Sequence, residues 1–362
     1  MPQQSFEGFD VSVEAAKGKL EQKFIIPPFS VLDSRQGYWT KRRITWMELG
    51  IESEVGRGEN LPQFSKTAQL NRKRHLLYKS HSGGDPQYYD KKAEAEAKVG
   101  KTLSNQEFEA EHYDPASGRY SSGTSIFDPV LCELMYKWFC PQGGRILDPF
   151  AGGSVRGIVA SVLGYEYHGI DLSKEQIEAN QEQADKICSN GVKPTWYLGD
   201  SLKLDSILPQ NWWVDFILSC PPYHDLEQYS DNPDDLSNKS WECFKDLYRE
   251  IIRKSILKLN YNRFACFVVS EIRFKDRDGN YKGFVPFTID CFANQGARFY
   301  NDIILVNSVG SLPIRVVRQF GTNRKVGRTH QNILVFYKGA AEDIPRYFKD
   351  ISSQIGEFAS NT

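Results

Sequence analysis

From about residue 124 onward the apolar positions recur at two periods in turn. "SIFDPVLCELMYKWFC", residues 125–140, sets apolar side chains at helical spacing behind Pro129, which the first turn of a helix tolerates. "GRILDPFAGGSVRGIVASVLGYEYHGIDLSKEQIEANQEQADKICSNG" then reads strand, glycine turn, helix, strand, helix. That is a βαβ unit and its next helix, which demands parallel pairing and a right-handed crossover. Further strands are predicted at "VDFILS", "FACFVVSE", "ARFYNDIILVN" and "QNILVFYKG", with the amphipathic helix "SWECFKDLYREIIRKSILKL" between the first two. The alternation predicts an α/β class with a doubly wound, mostly parallel sheet. Residues 1 to about 118 carry few period-two stretches and many turn residues, which predicts a loop-rich N-terminal accessory region. The expected division is an accessory region at 1–118, a main domain at 119–345 and a tail at 346–362.

Composition narrows the class. Hydrophobic residues make up 40% and charged residues 25% of 362, ordinary values that exclude a fibrous or disordered chain. The net charge of −1 excludes holding a polyanion by bulk charge and leaves local patches as the only electrostatic route. Seven scattered cysteines form no CxxC pair, which favours reduced thiols over disulfides and offers no metal site. The first residues lack a basic and an apolar leader region, and no apolar run approaches 18 residues. The expectation is a soluble, cytoplasmic protein that engages no membrane.

The candidate chemistry sits at predicted strand ends. Asp148-Pro149-Phe150-Ala151-Gly152-Gly153-Ser154 closes one strand and opens a helix, where glycines let backbone N–H groups approach a ligand. It is not the G-x-G-x-x-G fingerprint of dinucleotide sites. The next strand ends in Asp171, a carboxylate suited to ribose hydroxyls, and a third in Asp200, placed for the amino group of an adenine. Singly, such acids are more often caps or turn formers. The strand "DFILS" runs straight into Cys220-Pro221-Pro222-Tyr223, a corner that no strand or helix can continue, because proline lacks an N–H and fixes φ.

This order of motifs resembles the S-adenosylmethionine-dependent amino-methyltransferases of DNA, over residues 124 to 339. In that family D-P-F-x-G-[SG]-G holds the methionine part of the cofactor and [DNS]-P-P-[YF] holds the target base. "GTSIFDPVLCELMYKWF", with Ser125, is similar to its cofactor-side motif, and "RTHQNILVFYKG" to its last strand hairpin. The resemblance implies a Rossmann-like methyltransferase fold and S-adenosylmethionine bound by Ser125, Asp148, Phe150, Gly152, Gly153, Ser154, Asp171 and Asp200. It also implies a catalytic corner of Cys220, Pro221, Pro222 and Tyr223. An aromatic amine is a poor nucleophile, so acceptors must hold its N–H groups while the nitrogen pyramidalises toward the sulfonium methyl. Rigid carbonyls at the prolines supply such acceptors, and Tyr223 would stack on the extruded base. Cys220 departs from the family's Asp, Asn or Ser, and a thiol accepts weakly. Because S-P-P-Y goes with cytosine in this family, the lean is to cytosine N4 over adenine N6. His224 and Asp225 follow the corner, either as an ordinary polar loop pair or as an aid to proton loss.

Nucleic acid is expected at Arg315, Arg318, Arg324, Lys325 and Arg328, read as a loop before the last strand. "YWTKRRITW" and "NRKRHLLYK" interleave cations with aromatics and read equally well as solvated faces or as contacts. Target recognition is assigned to residues 1–118. A site-specific DNA methyltransferase of this kind implies a restriction or phage-defence partner, with the oligomeric state unknown. Two alternatives stay open: an RNA or tRNA base methyltransferase, and a catalytically silent nucleic-acid-binding module, which the Cys220 departure favours.

Overall fold

The computed structural model describes residues 28–51, 88–103, 108, 127–189, 191–226, 232–275, 279–307, 309 and 312–348. Its contacts divide the chain into two compact units, Met1–Arg57 with Phe127–Thr362, and Gly58–Ile126. Among the described residues the first unit holds strands β1 (Val31–Asp33), β2 (Arg145–Asp148), β3 (Glu166–Asp171), β4 (Thr195–Leu198), β5 (Val214–Ser219), β6 (Leu259–Val269), β7 (Arg298–Val306) and β8 (His330–Lys338). Its helices are α1 (Gly37–Met47), α3 (Pro129–Phe139), α4 (Val155–Val162), α5 (Lys174–Ile187), α6 (Leu204–Ile207), α7 (Trp241–Lys258), α8 (Phe284–Ala293), α9 (Leu312–Asn323) and α10 (Ile344–Tyr347). The second unit contains α2 (Tyr88–Val99), against which Leu103 and Phe108 are buried together with Ala95.

The strands form one sheet in the order β1-β7-β8-β6-β5-β2-β3-β4. Every pairing is parallel except those of β8, which runs antiparallel to both β6 and β7. This is the Rossmann-like, doubly wound sheet of the methyltransferase type expected from the sequence. Its strand order brings the carboxyl ends of β2, β3, β4, β5 and β6 to one edge, where crevices of such sheets lie. β7 runs in the same direction as β6, so its end and the start of β8 reach that edge too.

Neighbouring residues on β5 show how both faces are covered. Ile217 lies in the core formed with α7 and α8, which includes Phe244, Tyr248, Ile252, Phe284 and Phe292. Phe216 points the other way and meets the Tyr136 ring of α3 edge-on at 6.1 Å. α3 starts where Pro129 permits and where Asp128 accepts from Val130 N at 2.9 Å. Asp128 also accepts from Trp39 Nε1 of α1 at 2.9 Å, while buried Glu133 of α3 takes Arg42 and, at 2.8 Å, Trp46 Nε1. Residues within the stretch read as an accessory region thus contribute a strand and a helix to the main unit.

One expectation is corrected. The basic stretch read as a loop before the last strand is largely helical, α9, with Pro313 in its first turn and Leu312 packed on Gly327. Leu312, Val316, Val317 and Phe320 recur at helical spacing, with Leu312 and Val316 half-buried and Val317 and Phe320 exposed.

Candidate functional site

Asp148, at the end of β2, is fully buried and joins four parts of the edge. Its Oδ2 takes Arg156 Nε of α4 at 2.5 Å and the Tyr167 hydroxyl of β3 at 2.8 Å. Its Oδ1 takes the Ser219 hydroxyl of β5 at 2.6 Å and Phe150 N at 3.2 Å. Arg156 continues inward, donating from Nη2 to the Phe150 and Ala151 carbonyls, both at 2.7 Å. Burial alone would lower the guanidinium pKa, but the Asp148 charge reverses the effect and raises it, so the arginine stays charged. The pair shapes the glycine turn from below.

The turn itself leans on β3. Gly152, at φ +52°, donates its N–H to Asp171 Oδ2 at 2.8 Å, and its carbonyl accepts from Asn180 Nδ2 at 2.7 Å. Asp171 Oδ1 accepts Ser173 N at 2.8 Å. Ala151 N bonds the Ile170 carbonyl at 3.0 Å, and a Cβ on Gly169 would come within 2.7 Å of the Ala151 Cβ, so only glycine allows this approach. Ser154 is buried and donates to Gln183 Oε1 at 3.0 Å, facing into the fold. Asp200 accepts Leu202 N at 2.9 Å and caps the short turn Ser201–Lys203. Ser125 lies outside the described residues.

At the end of β5 the chain turns through Cys220, Pro221, Pro222 and Tyr223. Cys220 Sγ lies 3.8 Å from the Tyr223 hydroxyl, which also accepts from Gln331 Nε2 of β8 at 3.0 Å and donates to the Val268 carbonyl of β6 at 3.5 Å. The Tyr223 ring meets Phe284 edge-on at 6.1 Å. His224 follows at φ +49°, buried, with Nε2 donating to the Lys239 carbonyl at 2.9 Å and Nδ1 2.8 Å from Asp225 Oδ1. Lys282 reaches both groups at 2.5 Å. Burial pushes the Asp225 carboxyl up, but the Lys282 bond and charge and the neighbouring His224 outweigh it, leaving it below its ordinary value. Both imidazole nitrogens are engaged, so this pair anchors the loop after the corner.

The strand register sets the two motifs side by side, since Leu147 pairs with His168 on one flank and Ile217 on the other. The Ser219 hydroxyl on Asp148 makes the contact direct. Farther along the edge, Arg318 and Arg324 are exposed on and just past α9, and Lys325 lies against Gly279. Arg328 is turned to its own strand, with Nε on the His330 carbonyl at 3.2 Å and Nη2 on Asn332 Oδ1 at 2.5 Å. Arg315 belongs to α9, and its side chain lies outside the described part.

Sequence reasoning missed Arg156, Tyr167, Ser219, Gln331 and Lys282. Only Arg156 left a trace, as a lone cation in the apolar helix "VRGIVASV". Among the described residues no group of three or more His, Cys, Asp or Glu converges as a metal site, and no helix is long and apolar enough to cross a membrane.

No family model matches the chain, and no curated protein matches it significantly. Solved structures similar to it include methyltransferases. TrmN from Thermus thermophilus is 15% identical over 60% of this chain and 51% of its own, with a TM-score of 0.40. A methyltransferase from Pyrococcus furiosus is 15% identical over 75% of this chain and 99% of its own, with a TM-score of 0.39. A proposed DNA modification methylase, also from Thermus thermophilus, is 15% identical over 44% of this chain and 56% of its own, with a TM-score of 0.30. This chain thus spans about half the length of TrmN. All three TM-scores are low, and the fold rests on strand order and register.

Proposed function

We propose that the chain is an S-adenosylmethionine-dependent methyltransferase of nucleic acid, acting on the exocyclic amino group of an extruded base in DNA, with cytosine N4 ahead of adenine N6. One observation carries the reading. The Ser219 hydroxyl on Asp148 joins the glycine turn to the residue before Cys220-Pro221-Pro222-Tyr223, so a cofactor seat and a base seat would share one wall.

The residues fit the cofactor. The glycine turn approaches β3 as only Gly169 permits, and Asp171 is a carboxylate fixed by two backbone N–H groups, an acceptor for a ribose diol. Bound there, S-adenosylmethionine supplies an electrophilic methyl group on a sulfonium. The chain's own part is to orient. The Pro221 carbonyl would accept an amino N–H, Cys220 would add a weak acceptor, and Tyr223, its hydroxyl tied to Gln331 and Val268, would present its ring to the base. Such a stack is worth about 1–3 kcal/mol. Arg318, Arg324 and Lys325 are assigned to phosphates, and target recognition to the region up to residue 118.

The test is mass spectrometry of nucleosides from DNA and RNA incubated with the protein and S-adenosylmethionine. 4-Methylcytosine in DNA is the expected product. 6-Methyladenine alone overturns the base, product in RNA alone overturns the polymer, and calorimetric cofactor binding without product on either indicates a silent module.

A further inference from the structure

α9 carries a surface that phosphate contacts do not use. Val317, Phe320 and Arg324 stand at i, i+3 and i+7 and therefore share one side of the helix and its exit. That side is open, with Val317 74% and Phe320 46% exposed, and Val326 beyond it 63% exposed. The Arg324 guanidinium lies over the Phe320 ring, 5.3 Å from its centroid. The stretch itself carries charge of one sign, because the chain between Asp302 and Glu342 contains no acidic residue. α9 leaves β7 and re-enters β8 at the edge that holds the corner, and Gln331, at the start of β8, reaches the Tyr223 hydroxyl at 3.0 Å.

A flat apolar side in water calls for a flat apolar partner, and a run of cations with no acid among them in the sequence calls for a polyanion. Duplex DNA offers phosphates but hides its base faces in the stack. Unpaired nucleotides offer both, a π-face on every base and a charge on every link. We infer that α9 is a stacking site for unpaired nucleotides, with bases against Phe320 and Val317 and the flanking phosphates on Arg318 and Arg324. The inference rests on the nucleic-acid reading above and deepens it: the strand held beside the corner is an opened one.

Binding without cofactor separates this inference from the proposed reaction. The full chain is titrated against a fluorescein-labelled oligothymidylate of about 16 nucleotides, and against a duplex of equal length, by anisotropy over a salt series. Phe320→Ala should weaken oligothymidylate binding about tenfold with an unchanged salt slope, whereas Arg318→Gln should lower the slope by about 0.7. Phe320→Trp should restore or improve the affinity. Circular dichroism confirms that each surface variant is folded. If the wild type binds the oligonucleotide and Phe320→Ala binds equally well, the stacking site is refuted while the nucleic-acid reading stands. An equal Phe320→Ala loss on intact duplex overturns the preference for unpaired strands. Failure of the wild type to bind either polymer removes the nucleic-acid reading and this inference together.

Discussion

Arg156→Met tests whether the wall beneath the glycine turn is held by charge. The substitution keeps the length of the side chain but leaves the Asp148 carboxylate fully buried, with the neutral donors Tyr167, Ser219 and Phe150 N and no counter-charge. Removing one partner of a buried ion pair costs about 3–5 kcal/mol. The Phe150 and Ala151 carbonyls lose their donor as well, so the upper half of that range is expected, a large share of the roughly 5–15 kcal/mol that holds a domain together. Urea unfolding followed by tryptophan fluorescence reads the loss as a shift in midpoint. A second variant, Asp148→Leu with Arg156→Met, separates charge from hydrogen bonding. If charge were the whole effect, an apolar pair of this kind would restore stability. Here the Tyr167 and Ser219 hydroxyls would lose their acceptor at about 1–3 kcal/mol each, so the double variant should recover only in part. An Arg156→Met protein within about 1 kcal/mol of wild type would refute the account of Asp148 as a buried charged hub.

Asp171→Ala should weaken S-adenosylmethionine binding by about 1.5–3 kcal/mol in calorimetry, and unchanged affinity in a folded protein would remove its ribose role. Cys220→Ser should keep or raise methylation, because a hydroxyl accepts better than a thiol; an inactive Cys220→Ser would point to a reactive thiol instead. Tyr223→Ala should lose most activity, while Tyr223→Phe keeps the ring and loses the hydroxyl contacts to Gln331, Val268 and Cys220, so a few-fold fall in kcat is expected; equal losses in the two variants would refute a stacking ring. Burial pushes the Glu133 carboxyl up, but hydrogen bonds from Arg42, Trp46 and Lys137 outweigh it and hold it below its ordinary 4.5. A carboxyl lowered in the folded state contributes its stability above 4.5 and loses it as pH falls through the folded value. Glu133→Gln should therefore flatten the acid side of the urea-midpoint profile, and a parallel profile would contradict the assignment.

Strands β2 to β8 were legible because each is an apolar run ended by a turn former, whereas β1, three residues within the stretch read as loop-rich, was not. The two motifs were legible because glycine and proline impose backbone shapes that few other residues allow. What could not be read is whatever depends on partners distant in sequence. Nothing near Ser219 announces that its hydroxyl meets Asp148, 71 residues earlier, and Gln331 reaches Tyr223 across 108 residues. Asp200 and Ser154 sit at the expected strand and turn ends, yet hydrogen-bond Leu202 N and Gln183 in the fold. α9 was overlooked although Leu312, Val316, Val317 and Phe320 recur at helical spacing, because Gly310, Pro313 and Gly321 punctuate the stretch as turn formers do.

β1 has a consequence in time. Among the described residues Val31–Asp33 pairs only with Ile304–Val306 of β7, and Ser34 Oγ reaches the Val306 carbonyl at 2.9 Å across 272 residues. A chain leaves the ribosome N-terminus first, at about 5–20 residues per second, so β1 emerges roughly 14–54 s before its partner. Strands β2 to β6 can assemble during that wait, whereas β7 must arrive before the first strand has anywhere to go. β1 is then the last piece to dock, and it docks on the side of β7 whose backbone groups would otherwise invite another chain. A chain begun at Gln36 should keep the candidate site and S-adenosylmethionine binding, yet scatter light on standing as bare β7 edges find each other.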